Sequence, residues 1–92
     1  MNRSELVEAV AATTGLTQRE TDQTITAALA AIANSLARGE SVTLAGFGSF
    51  ERRDRAARTG RNPQTGATME IPAAKVPAFK AAAALRRQVA GA

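Results

Sequence analysis

Apolar residues recur along the first forty positions at helical spacing. Leu6, Val7, Val10 and Ala11 mark one face of a first helix. Asn2 and Glu5 form a capping-box pattern at its start, and Gly15 suits the position just past its end. Thr17-Gln18-Arg19-Glu20 is a second capping box, and Ile25, Leu29, Ile32 and Leu36 follow at steps of four, three and four. The pattern predicts a helix over 18–38, about 30 Å long at 1.5 Å per residue. Arg38 falls in its last turn, where a cation favours the helix dipole, and Gly39 ends it.

The period then becomes two. Ser41-Val42-Thr43-Leu44 predicts a short strand, Ala45-Gly46-Phe47-Gly48 a turn, and Ser49 the start of a second strand. Apolar content stops at Phe50, while extended character continues through Glu51-Arg52-Arg53-Asp54-Arg55. Met69 and Ile71 predict a returning strand interrupted by Pro72, and Val76, Pro77 and Phe79 lead back to the body. An alanine-rich helix follows over 81–90, with Leu85 and Val89 four apart and Gly91 beyond it. The order α-α-β-β-β-α predicts an α+β fold, an N-terminal αα-hairpin on a three-stranded antiparallel sheet with a short C-terminal helix. One domain spans 1–92, with a helical dimerisation part (1–40), a sheet (41–80) carrying a β-arm over about 52–76, and a C-terminal helical segment (81–92).

The segment AARTGRNPQTGATM, residues 56–69, holds almost nothing that fills a core. Asn62-Pro63-Gln64-Thr65-Gly66 has strong turn chemistry, so residues 52–61 are expected to pair with 67–76. The product is a protruding two-stranded ribbon without an apolar face, marginal by itself in water. Arg53 and Arg55 share one face, but the steps to Arg58 and Arg61 are three each, which predicts a bulge or strong twist. The run from Arg53 to Pro63 reaches roughly 33 Å, enough to follow a groove around a duplex. Pro63 reads two ways: as a turn-former, or as a rigid apolar wedge that enters between base pairs and kinks them.

Composition and charge sharpen this picture. Of the 92 residues, 22 are alanine and three are phenylalanine, with no Trp or Tyr. So thin a core in so short a chain predicts a homodimer. The second helix's stripe and the three phenylalanines are its expected seam: Leu29, Ile32, Leu36, Leu44, Phe47, Phe50 and Phe79. Residues 1–50 hold three Arg and five acids, whereas residues 51–92 hold seven Arg, two Lys and three acids. Such asymmetry points to a polyanionic partner. No cysteine or histidine is present, which removes thiolate chemistry, Cys-ligated metals and the commonest general base. Gly46-Phe47-Gly48 is a mere fragment of a dinucleotide fingerprint, and Glu51, Asp54 and Glu70 among arginines read as exposed ion pairs. No enzyme activity, cofactor, metal or small-molecule substrate is expected. The start MNRSELVEAV has no signal-peptide core and no apolar run is long enough to span a membrane, so a cytosolic protein without a membrane partner is expected.

Residues 46–80, GFGSFERRDRAARTGRNPQTGATMEIPAAKVPAFK, resemble the signature of the HU family of bacterial histone-like DNA-binding proteins. Integration host factor is the family's near relative, and the ATMEIPAAKVPAFK continuation looks more like HU. The resemblance implies an intertwined homodimer in the bacterial nucleoid whose two arms embrace double-stranded DNA, above all bent, nicked or flexible DNA, through the minor groove. HU is itself among the proteins behind the wedge generalisation, which therefore lends no independent support. Carried over by position, Arg53, Arg55, Arg58 and Arg61 contact backbone and groove, Asn62 lies beside the tip, and Pro63 is the wedge. Lys75 and Lys80 contact phosphates, and Arg3 and Arg86 match body positions that are commonly basic.

The chain departs from the family pattern at several positions. Lys80 is followed by Ala81-Ala82-Ala83 where Pro-Gly-Lys is common, which predicts an earlier start for the last helix. Gln18 and Ser41 replace frequent lysines, and Arg52 replaces an apolar residue, which predicts charge on the arm's other face. The implied function is architectural, largely sequence-nonspecific bending and compaction of duplex DNA. The rival readings are a sequence-specific bender like integration host factor, an RNA-binding basic dimer, and a basic dimer that meets an acidic protein or membrane.

Overall fold

The computed structural model describes residues 1–91; Ala92, the end of the expected C-terminal segment, lies outside the described residues. The fold is α+β. Its elements are α1 (Arg3–Thr14), α2 (Gln18–Ala37), β1 (Val42–Leu44), β2 (Gly48–Arg55), β3 (Arg58–Arg61), β4 (Thr68–Ile71), β5 (Ala74–Ala81) and α3 (Ala83–Ala90). They form two compact units, Met1–Asn34 and the chain from Ser35 onward, with α2 beginning in the first and ending in the second.

In the first unit the helix starts follow their capping residues. Asn2 Oδ1 accepts the Glu5 backbone N–H at 2.9 Å, one half of a capping box. The box at α2 is complete: Glu20 N–H donates to Thr17 Oγ1 at 3.1 Å and Thr17 N–H donates to Glu20 Oε1 at 3.0 Å. Two orphan donors of the helix end are thereby satisfied. The hydrogen bond from the Thr17 backbone, followed by that of its side chain, holds the Glu20 carboxyl below its ordinary value. A carboxyl lowered by folding contributes stability above its unfolded pKa and loses it as pH falls through the folded one. Thr17→Ala, which removes the side-chain half of the box, is expected to lower stability at neutral pH. The gap from the parent should narrow on acidification below the ordinary carboxylate range, as read by denaturant melts across pH. Val7 is buried, and so is Thr21, whose hydroxyl donates to the Thr17 carbonyl at 2.9 Å. Leu29 lies 54% exposed.

The second unit opens on the end of α2. Glu40 N–H donates to the Ser35 carbonyl at 2.9 Å and Gly39 N–H to the Leu36 carbonyl at 3.0 Å, the paired bonds of a Schellman stop. Arg38 falls just outside the helix and its guanidinium pairs with Glu40 at 3.4 Å. The sheet order is β1-β2-β5, all antiparallel. Alternation puts Val42, Leu44, Phe50, Phe79 and Ala81 on one face, and Thr43, Ser49, Glu51, Arg53 and Lys80 on the other. Pro77 is tolerated because β5 is an edge strand. Phe79 packs against Phe50 and Phe47 with ring centroids 4.9 and 5.5 Å apart. Yet Phe47 and Phe79 remain 47% and 43% exposed, and Leu44 42%. The apolar face is assembled and left open.

The last helix begins at Ala83, later than its alanine run suggests. Ala81 still pairs with Gly48 in the sheet, and Ala82 N–H donates to the Phe47 carbonyl at 2.8 Å. Those strand bonds hold 81–82 extended, and no side chain caps α3.

Candidate nucleic-acid interface

The basic ribbon is a continuation of the sheet. Strands β2 and β5 pair as far as Arg55 and Ala74, and strands β3 and β4 resume the ladder at Arg58 and Ile71. Between them two residues, 56–57, face two residues, 72–73. The register is thus unchanged across the gap, so of the two readings of the arginine spacing, a bulge or a strong twist, the bulge is absent. The interruption coincides with Pro72, which has no N–H to give to a ladder. By count Arg61 keeps the parity of Arg53 and Arg55, while Arg58 has the opposite parity. Arg58 shares its face of the ribbon with Ile71, Gly60 and Met69, so that face is partly apolar, contrary to expectation.

The tip is a four-residue loop closed by Asn62 N–H donating to the Ala67 carbonyl at 2.9 Å and Gly66 N–H donating to the Asn62 carbonyl at 2.7 Å. Asn62 Oδ1 accepts the Gln64 N–H at 2.9 Å, an Asx turn around Pro63. Gly66 takes φ +69°, the left-handed conformation the sequence pattern calls for. Asn62 therefore has its acceptor committed to the turn, leaving its amide N–H groups as the donors available at the tip. Pro63 is exposed at the end of the ribbon. The turn-forming role of Pro63 is thus visible, and its position also suits a wedge.

Ion pairing separates the cations into two groups. Arg53 pairs with Glu51 at 3.7 Å and Arg52 with Asp54 at 3.2 Å. Arg3 is tied to α2: its Nε donates to Asp22 Oδ1 at 3.1 Å, and a second nitrogen reaches the Asp22 carbonyl at 3.2 Å and Thr26 Oγ1. The other candidate cations, Arg55, Arg58, Arg61, Lys75, Lys80 and Arg86, have no carboxylate within 4 Å among the described residues. Glu70, expected in an ion pair, has no such partner either. Arg87 on α3 joins the unpaired, exposed cations; its place in the last turn beside Arg86 was the available signal. Arg52 sits in the body of the sheet opposite Pro77 with only 25% of its side chain exposed, so it adds no charge to the arm. The result is a ribbon and sheet edge with unneutralised positive charge, suited to a polyanion. Among the described residues no group of acids, His or Cys is arranged to hold a metal, and no helix is long and apolar enough to cross a membrane.

Known proteins share this arrangement over its whole length. The family described as bacterial DNA-binding protein matches residues 1–90. DNA-binding protein HU of Staphylococcus aureus is 55% identical over 89 residues, covering 97% of this chain and 99% of its own. Its namesake from Geobacillus stearothermophilus is 53% identical over the same share. Among solved structures, an Anabaena HU–DNA cocrystal superposes with a TM-score of 0.90 at 51% identity, with both chains covered completely. HU from Thermotoga maritima superposes at 0.69 with 29% identity over 97% of this chain and 98% of its own.

Proposed function

The chain belongs to the bacterial DNA-binding protein family, and on that premise we propose that it is an architectural protein of the bacterial nucleoid that bends and compacts duplex DNA through the minor groove with little sequence preference. It works as a homodimer and not as an enzyme. The observation that carries this reading is the ribbon itself: Arg55, Arg58 and Arg61 stand without acidic partners among the described residues, along an extension that ends in an exposed proline. Leu29 with Ile32 in the first unit, and Leu44, Phe47 and Phe79 with Leu36 and Phe50 in the second, supply apolar surface in each unit for a second copy to cover. The family match runs through both compact units, which supports reading them as one DNA-binding domain.

Each neutralised phosphate releases a counterion. A dimer making roughly eight phosphate contacts should therefore bind with a slope of log K against log salt near −7. Arg55, Arg58, Arg61 and Lys75 of each protomer supply these contacts, while Lys80, Arg86 and the loosely paired Arg53 add to the surrounding positive field without being counted among them. The hydrogen bonds of Arg3 to Asp22 and Thr26 give it a helix-linking role instead. The Asn62 amide donates to the O2 and N3 acceptors that A·T pairs show in the minor groove. Pro63 unstacks one base step, at a cost of a few kcal/mol that wider contact with bent DNA offsets.

Gel shifts on linear, nicked and four-way-junction DNA at two salt concentrations test the whole reading. Tighter binding to the pre-deformed forms and a steep salt dependence are expected. A flat salt response with strong choice of one sequence would overturn it. For Pro63→Ala, ligase-mediated closure of short DNA circles should fall at least several-fold while affinity drops less, since the wedge acts on shape more than on charge. Closure at the parent level would remove Pro63 from the bending step.

A further inference from the structure

Arg52 stays in the body of the sheet, where it stands on the same face of β2 as Asp54. Its Nε lies 3.2 Å from Asp54 Oδ1. Its guanidinium also lies over Gly39, so close that a Cβ there would meet Arg52 Nη2 at 3.1 Å and Cζ at 3.2 Å. Gly39 has φ +82°, so the stop of α2 is both left-handed and without a side chain, and the guanidinium rests on it. The end of α2 carries the negative pole of the helix, which favours a cation there. Two contacts thus anchor Arg52 and aim it at Asp54.

Across the ladder, Asp54 is directly opposite Lys75. Opposed residues on one face have Cβ atoms about 4.5–5.5 Å apart, where opposite charges pair readily. Nevertheless Lys75 has no carboxylate within 4 Å among the described residues, while the Asp54 carboxylate pairs with Arg52. Arg53 and Arg55 project from the other face and do not compete for it.

We propose that Arg52 is a positioning residue for DNA binding: by holding Asp54, it keeps Lys75 unpaired and available to a phosphate. The proposal rests on the DNA-binding reading above. It assigns to Arg52 an effect on affinity without contact with the nucleic acid. Removing this cation should weaken binding through the lysine that its loss allows Asp54 to capture.

The test compares the parent, Arg52→Leu, Asp54→Asn, the double variant, and each Arg52 form in a Lys75→Ala background. Anisotropy on a nicked duplex across a salt series gives the first readout. Arg52→Leu is expected to bind roughly tenfold weaker in low salt, with a slope shallower by about 2 for the two lysines of a dimer. The double variant should return to the parent value, and Arg52→Leu should change nothing once Lys75 is alanine. Recovery by Asp54→Asn separates this effect from lost packing on Gly39, which that change does not repair. A loss that persists in the double variant, or in the Lys75→Ala background, overturns the proposal. The second readout needs no DNA: acylation of Lys75 by an amine-reactive ester, followed by mass spectrometry. It should slow about threefold in Arg52→Leu, as pairing with Asp54 holds the amine in its charged, unreactive form, and recover in the double variant. An unchanged rate overturns the proposal whatever the nucleic-acid result. A parent that binds no duplex while labelling responds as expected would instead remove the DNA reading, and with it the role of Arg52 in binding.

Discussion

Replacing Arg55, Arg58 and Arg61 together by alanine is expected to flatten the salt dependence of DNA binding from a slope near −7 to about −2. Six phosphate contacts leave a dimer that makes roughly eight, and each contributes about −0.9. Between 50 and 200 mM salt the parent should lose about ten-thousandfold in affinity, while the triple variant loses only about tenfold. None of the three has an acidic partner within 4 Å among the described residues, so their removal leaves no orphaned carboxylate there. They lie at the end of β2 and on β3, outside the phenylalanine cluster, and thermal melting of the free protein should change little. A triple variant that keeps the parent slope would show that the arm does not carry the phosphate contacts.

The largest expected loss of stability lies at a residue without a side chain. Gly48 begins β2 beneath the ring of Phe79, and a Cβ placed there would stand 2.5 Å from Phe79 Cζ and 2.6 Å from the Lys80 carbonyl oxygen. The ring can swing, but the carbonyl belongs to the paired edge of β5. Gly48→Ala must therefore displace strand as well as side chain, and a cost of about 3 kcal/mol is expected, the upper end for overpacking. For a chain of this length that is roughly 15 °C in melting temperature at fixed protein concentration. The same change opens the stack of Phe79 on Phe47 and Phe50, so a weaker dimer should accompany the lower melting point in sedimentation. A melting temperature within a few degrees of the parent would mean that β5 yields more easily than its pairing implies.

The helices were legible because their ends are written locally. Thr17 and Glu20 bond each other's backbone, and Gly15 and Gly39 take the positive φ that a stop requires. The turn at Pro63 was legible for the same reason, its bonds running among residues 62–67. What the pattern missed depends on pairing at a distance. Ala81 and Ala82 are good helix formers, but bonds to Gly48 and Phe47 hold them extended. The spacing of Arg55, Arg58 and Arg61 suggested a bulge or a strong twist; the bulge is ruled out because the gap takes two residues from each strand, a symmetry that one strand read alone cannot reveal. Arg52 looked like surplus charge for the arm because its neighbours are arginines. Its contact with Gly39 spans the whole β1–β2 turn and leaves no local signature. Among the candidate site residues, Arg55, Arg58 and Arg61 lie along the ribbon with Arg58 on the opposite face, Pro63 lies at its tip, and Arg3 is engaged with α2 by residues that no motif links to it.

The matched gap at 56–57 and 72–73 makes the length of the ribbon and the facing of its cations separable quantities. Excising both pairs would bring Arg58 into line behind Arg55 and draw the tip inward by about 7 Å, with every distal side chain still on its present face. Excising one residue from each strand would shorten it half as much and exchange the two faces, sending Arg58 to the side now held by Arg61. Taking a residue from one strand alone would set the two halves of the ladder out of step. Change in the reach of such an arm is therefore quantised: it preserves the grip on a duplex only in steps of two residues per strand.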